Sequence, residues 1–332
     1  MFFPHFSQKF HAALPDNKEQ PIVITGHMRP DGDCIGSMVG MGLALQASGY
    51  QVNIYNNDPI PRTLENFQGN ISYTVADKQM NLSENPFVIA CDAADQERMG
   101  EQINHVFPEV NICVDHHITN EGYGSCNLID PHAAATAEII AGMFFDLEYP
   151  IDKDAAQALY IGIATDTGQF RYPSTTRRVF ELASRLLECG ANPGEASIAL
   201  YDQELPQKME LLQRFLSRLE RKCDQQLCLG YICGSDYEET GATYDDAEGL
   251  VDYARSLYGV EIGAILEERG NKLKGSLRAK EARMRVDILA GQFGGGGHAC
   301  AAGFSVEGAE VKHFYSKFVN AVENHIRDLE LD

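Results

Sequence analysis

HMRPDGDCIGS, residues 27–37, sets a histidine four residues ahead of one aspartate and six ahead of another, directly after the apolar run PIVITG. Three further places carry the same donor types: Asp92 after PFVIAC, the triplet Asp115-His116-His117 after NICV, and Asp166 within GIATDTGQF. Together they offer five carboxylates and three imidazoles with no cysteine required. Such an oxygen-rich set suits Mn²⁺ or Mg²⁺ better than structural zinc. Two such ions about 3.5 to 4 Å apart, sharing a bridging carboxylate, are an arrangement that cleaves phosphate esters.

Taken singly, each place has a plainer reading. Asp31 to Cys34 reads equally as a helix cap, since an aspartate ahead of a helix accepts backbone N–H bonds. Asp92 reads as a turn residue at a strand end, and Asp166 as the end of a helix. His116 and His117 are adjacent and cannot both face one side of a strand, so one of them fits a core position. The metal reading gains from coincidence, because one fold would gather all four places.

That fold follows from periodicity. PIVITG (21–26), QVNIYN (51–56), PFVIAC (86–91), NICVDH (111–116) and CNLID (126–130) are short β-rich runs. Between the first two lies the amphipathic stretch CIGSMVGMGLALQASGY, which ends near Gly49 as helices often do. Strand, helix, strand in repetition means βαβ units and a buried parallel sheet. Ligands of such sheets bind beyond the carboxyl ends of the strands, where HMRPDGD falls. AAATAEIIAGMFFDLE, DAAQALYIGIATDT, RRVFELASRLLECG and LPQKMELLQRFLSRLERK then carry helical spacing. Beyond them LCLGYIC, GVEIGAILEER and KLKGSLRA alternate with helical AEGLVDYARSLYG and KEARMRVDILAGQF, followed by GGGGHACAAGFSV and a terminal helix. The expected fold class is α/β: a parallel-sheet domain flanked by helices at 1–190, a helical connector at 191–222, and a smaller α+β domain at 223–332.

Composition narrows the function. The 332 residues exceed the length at which one core stops growing, about 250 to 300. A net charge of −21 repels phosphate backbones, which excludes holding long duplex nucleic acid through many lysine and arginine contacts. Short phosphorylated substrates held by a few groups and by metal ions remain compatible. The nine cysteines are scattered without a C-x-x-C pair and read as reduced thiols. The opening MFFPHFSQKF has no charged segment ahead of an apolar core, and no run of about 18 apolar residues occurs. A cytoplasmic protein without a membrane partner is expected.

In order and spacing, HMRPDGDCIGS, CDAADQERMG, VDHHITN, GIATDTGQFRYPSTT, KGSLRA and GGGGHACAAGF resemble the DHH phosphoesterases over nearly the whole chain. The resemblance is to the DHH plus DHHA1 subgroup of nanoRNases and pAp (3′-phosphoadenosine 5′-phosphate) phosphatases. It implies two Mn²⁺, or Mg²⁺ in their place: one on His27, Asp31 and Asp92, the other on Asp33, Asp92, His116 and Asp166, with Asp92 bridging. His117 would face the substrate phosphate as a catalytic group and Asp115 would orient the imidazoles, while a water between the ions attacks phosphorus in line. Cys34, where the family commonly has alanine, reads as a small buried residue; a reactive thiol there would make activity sensitive to oxidation or thiophilic metals.

Gly294 to Gly297 offer backbone N–H groups that approach phosphate oxygens closely, and His298 adds a donor. By the same resemblance Gly295, Gly296, Gly297 and His298 form a substrate clamp, joined by Arg278 as a bidentate phosphate contact. The expected substrates are short oligoribonucleotides and pAp-like nucleotides, taken in a cleft between the metal site and the clamp. An exopolyphosphatase and a RecJ-like single-strand exonuclease are the alternatives, the latter disfavoured by acidity and by the lack of room for an OB-fold domain. Manganese pyrophosphatases share the metal motifs but carry a second domain without GGGGH. A non-catalytic nucleotide-binding module is the alternative from another class. Preference for RNA over DNA and assembly as a homodimer stay open.

Overall fold

Alternate residues of the first-half strands enter two different cores. Ile22 and Ile24, Ile89 and Cys91, Ile112 and Val114 join one cluster; Val23, Val88, Ala90 and Cys113 join another with Met99, Ile103 and Phe107. A strand buried on both faces belongs in the middle of a parallel sheet. The computed structural model, which describes residues 1–78, 80 and 86–331, has that sheet. Its strands are β1 (Ile22–Thr25), β2 (Val52–Asn56), β3 (Tyr73–Val75), β4 (Phe87–Cys91), β5 (Ile112–Asp115) and β6 (Cys126–Ile129). All pairings are parallel, in the order β3-β2-β1-β4-β5-β6. The chain runs outward from β1 through β3, then returns to β4 and runs outward the other way. β1 and β4 therefore flank the point where strand order reverses, and ligands of open α/β sheets bind beyond the carboxyl ends of such a pair.

Helices α1 (Pro4–Ala13), α2 (Gly32–Ala47), α3 (Glu101–Val106), α4 (Thr136–Asp146), α5 (Lys153–Asp166), α6 (Arg177–Glu188) and α7 (Pro193–Tyr201) complete the first unit, Met1–Gln203. α2 corrects the expectation of an amphipathic helix: every residue from Gly32 to Leu45 is buried. It packs against the sheet and against α4 and α5, so it is enclosed on all sides and mostly apolar, with Asp33 and Ser37 its buried polar residues. Asp31 at its start and Asp166 at the end of α5 are consequently carried on two helices locked against each other.

The second unit, Glu204–Asp332, begins within the segment expected as a connector. α7 gives Ala196 to the first unit's core, whereas α8 (Pro206–Ser217) gives Leu211, Leu212 and Phe215 to the second's. The last residues of LPQKMELLQRFLSRLERK leave the helix and form β7 (Glu220–Lys222), because they pair with β8 (Leu227–Ile232). With β9 (Ile262–Arg269), β10 (Lys272–Ala279), β11 (Gly296–His298) and β12 (Ala301–Glu307) these make a mixed sheet ordered β11-β12-β10-β9-β8-β7. α8, α9 (Gly234–Thr240) and α10 (Leu250–Ser256) cover one face, α11 (Val286–Gly291) and α12 (Val311–Leu331) the other. Among the described residues no helix is long and apolar enough to cross a membrane.

Candidate metal centre

The loop after β1 delivers two donors. His27 turns Nδ1 to the Met28 carbonyl at 2.9 Å, which leaves Nε2 3.6 Å from Asp31 Oδ1 and 3.5 Å from Asp92 Oδ2. Asp31 also caps α2, accepting from the N–H groups of Asp33 and Cys34, both at 3.1 Å. The cap reading and the donor position thus coincide in one carboxylate. Asp33 faces inward and is fully buried. It accepts from Thr136 N–H at 2.6 Å and Ala137 N–H at 2.9 Å, closing the start of α4, whose own N-cap, Ala135, offers no side chain for the purpose.

Asp92 follows β4 with φ of 56°, a left-handed conformation that aspartate tolerates better than most residues. Its carboxylate is shared between two groups. Oδ2 faces His27, while Oδ1 lies 3.7 Å from His116 Nε2 and 3.7 Å from His117 Nδ1. His116 Nε2 is further 3.3 Å from Asp166 Oδ2 and 3.9 Å from Asp33 Oδ2. The other five expected ligands therefore gather about Asp92.

The plainer reading, in which one of His116 and His117 fits a core position, does not hold, because β5 ends at Asp115 and strand alternation stops there. Both rings turn toward Asp92, with centroids 4.7 Å apart. Asp115 orients one imidazole rather than both. Its Oδ1 lies 2.8 Å from His117 Nδ1 and accepts the His116 backbone N–H at 2.9 Å; the His116 ring itself turns Nδ1 toward the Ala133 carbonyl at 3.3 Å. Asn120 donates to Asp115 Oδ2 at 2.6 Å. Asn120 and Thr136, whose hydroxyl donates to Asp92 Oδ1 at 3.0 Å, were not read from the sequence. Their only signals there are an asparagine within VDHHITN and a threonine after three alanines.

Electrostatics mark the cluster as short of positive charge. Burial, then Asp92 and Asp166, push the Asp33 carboxyl well above the usual range. Burial, then Asp92 and Asp31, push Asp166 up to about 8. Both shifts measure the cost of crowding anions in a desolvated place, a cost that cations would remove. Oxygen donors dominate and the donor atoms of Asp33, His116 and Asp166 lie within 4.8 Å of one another, so the residues fit hard divalent cations.

Cys34 brings its sulfur within 4.8 Å of donor atoms of His27 and Asp92, yet it is wholly buried. Burial pushes its thiol up to about 12. Native protein treated with iodoacetamide is therefore expected to keep Cys34 unlabelled on peptide mapping and to label it only after unfolding, since the reactive thiolate needs both exposure and a low pKa. Rapid labelling in the folded protein would overturn its reading as a packing residue.

In the second unit, register aligns two of the residues expected as a clamp. Arg278 on β10 pairs with Ala301 on β12, which pairs with His298 on β11. Directly opposed residues share a face, so Arg278 and His298 flank Ala301 on one side of the sheet. Among the described residues no carboxylate pairs with the Arg278 guanidinium. The glycine run is an ordered piece rather than a loose loop: Gly294 and Gly295 donate to the Gly291 and Ala290 carbonyls, and Gly296 and Gly297 belong to the edge strand.

An open parallel sheet with imidazole and carboxylate groups at its switch point, followed by a separate mixed-sheet unit, defines a two-unit α/β protein with a candidate metal centre. The model described as the DHH family, N-terminal domain, matches residues 21–163, and that of the DHHA1 domain matches 224–326. The bifunctional oligoribonuclease and PAP phosphatase NrnA of Thermus thermophilus is 30% identical over 308 residues, spanning 93% of this chain and 91% of that protein. The protein of the same name from Bacillus subtilis is 26% identical over 289 residues, 86% and 89% of the two chains. An exopolyphosphatase-related protein of Bacteroides fragilis shares the fold, with a TM-score of 0.85 over 99% of this chain and 97% of that one at 24% identity. The chain belongs to the DHH family.

Proposed function

We propose that this protein is a divalent-cation-dependent phosphoesterase of the cytoplasm that hydrolyses short oligoribonucleotides and pAp, with Mn²⁺ as its cation. The observation that carries the reading is Asp92, whose two carboxylate oxygens face separate groups: His27 and Asp31 on one side, Asp33, His116 and Asp166 on the other. Two relatives named for both activities, aligned along most of their length, support it. When bound, a pair of divalent cations supplies Lewis acidity and a water acidic enough to act as nucleophile at neutral pH. The protein's part is to place and polarise. Asp115 holds His117 by Nδ1 and raises its pKa, so Nε2 carries a proton toward a substrate phosphate oxygen. Arg278 and His298 supply further anion contacts, a task suited to an arginine that pairs with no carboxylate among the described residues.

The test is a Mn²⁺-dependent digestion of pAp, pyrophosphate, polyphosphate and end-labelled RNA of two to about twenty-four nucleotides. Loss of pAp and of di- to pentanucleotides ahead of longer strands is expected; preference for long strands or polyphosphate would replace the reading. In the same assay Arg278→Ala should raise KM for dinucleotides roughly ten- to a hundredfold with kcat little changed, the usual cost of charge-assisted hydrogen bonds. An unchanged KM would remove Arg278 from the substrate site.

A further inference from the structure

We propose that Thr136 is a positioning residue for Asp92: its hydroxyl fixes the carboxylate so that Oδ2 serves the His27 side and Oδ1 the His116 side. A carboxylate can bridge two cations only if its plane is held, because rotation about the bond to Cβ presents both oxygens to one side. Three observations say what holds it here.

Thr136 Oγ1 lies 3.0 Å from Asp92 Oδ1, with both residues buried, so the bond forms in a place where a lost partner is not replaced by bulk water. Thr136 stands at the first residue of α4, and its backbone N–H donates to Asp33 Oδ2 at 2.6 Å while Ala137 N–H donates to Oδ1 at 2.9 Å. One residue therefore ties two carboxylates together, by its main chain to Asp33 and by its side chain to Asp92. The end of the helix is itself anchored: Glu138, fully buried, accepts from Ala134 N–H at 2.5 Å and from Arg178 Nε at 2.6 Å. Among the described residues the hydroxyl bonds Asp92 alone, so its removal frees the carboxylate and leaves the backbone bonds to Asp33 in place.

The two sides of Asp92 differ in the donors they keep without it, His27 and Asp31 on one and Asp33, His116 and Asp166 on the other, which makes the effect readable. On the first side Asp31 is 62% exposed and His27 is its one buried companion, whereas the other side has three further donors, of which Asp33 is fully buried. A cation on the first side depends more on Asp92 than one on the other side, which keeps Asp33, His116 and Asp166.

The experiment is a Mn²⁺ titration of metal-free full-length protein by calorimetry, with electron paramagnetic resonance of the loaded samples, on wild type, Thr136→Val, Thr136→Ala and Thr136→Ser. The expected result is two Mn²⁺ with a spin-coupled signal in wild type and in Thr136→Ser. In the valine and alanine variants one Mn²⁺ binds as before, and the second binds about 10- to 100-fold more weakly with the coupled signal lost, the typical effect of removing a group that orients a metal ligand. Two ions bound with unchanged affinity and coupling in the valine variant would overturn the proposal. So would a serine variant as impaired as valine, or valine and alanine variants that fail to fold, since either makes the residue a packing element. The inference rests on the metal reading above, and the two fail differently: wild type that binds no pair of ions refutes that reading, whereas a pair indifferent to Thr136 refutes only this one.

Discussion

Asp92→Ala is expected to abolish phosphoester hydrolysis, a loss greater than the roughly 10²- to 10³-fold that removing one preorganised electrostatic group costs, while the metal-free protein stays folded. The two halves of that statement have one cause. Asp92 sits 3.5 to 3.7 Å from His27, His116 and His117 and is 2% exposed, so no other side chain can take its place between the two donor groups. Without cations, the same carboxylate is one of the buried anions that raise Asp33 and Asp166. Deleting it relieves repulsion, against about 1 to 2 kcal/mol for placing alanine in a left-handed conformation. Asp92→Asn avoids that cost and keeps an acceptor for Thr136. Thermal melts with and without Mn²⁺ separate the effects. Wild type should gain stability with added Mn²⁺ as binding to the native state requires, and both variants should melt near the metal-free wild type and gain much less. A variant that turns over substrate at a near-normal rate would end the shared-carboxylate scheme.

His27, Asp92 and His116 and the strands that present them were legible because each follows a short apolar run, and a buried parallel sheet converts that one-dimensional pattern into a shared edge, while Asp166 comes from the end of helix α5. Asp92 after PFVIAC and His116 after NICV needed only the rule that such edges bind ligands. What was not legible depends on pairing across long separations. Thr136 meets Asp33 through 103 residues of chain and Asp92 through 44. No local pattern encodes either bond. α2 was read as amphipathic, whereas its glycines make close contacts on more than one side of an enclosed helix, Gly36 and Gly40 against α5 and Gly42 against Ile71. The alternation rule that would part adjacent histidines holds only inside a strand, and the strand stops at Asp115, one residue before them. β3, of three residues, is too short for periodicity to reveal.

The glycines of α2 lead to the second large effect. A Cβ at Gly36 would stand 2.4 Å from the Ala158 carbonyl oxygen, 2.8 Å from Gly162 N and 3.0 Å from Gly162 Cα, all backbone atoms of α5. A Cβ at Gly162 would meet Ala137 Cβ at 2.6 Å and Asp33 Oδ1 at 2.9 Å. α2, α4 and α5 therefore meet at one point, and the donors Asp33 and Asp166 ride on two of them. Gly36→Ala is expected to force α2 and α5 apart, at a cost of about 1 to 3 kcal/mol or more for overpacking a tight core. Displacements near 1 Å at such a site cost on the order of 10²-fold in rate. Gly40→Ala is the calibrating change, because its Cβ would meet only the Leu159 side chain, at 2.5 Å, which can turn aside. Gly291→Ala, with nothing within 4 Å, should be neutral. Melting temperature should fall most for Gly36→Ala and Gly162→Ala, and Mn²⁺ affinity should fall with it, since the contact that packs the helices also sets the distance between the carboxylates. If stability fell while Mn²⁺ affinity held, the donor spacing would be fixed by the strand-end loops alone and the helix crossing would serve only the core.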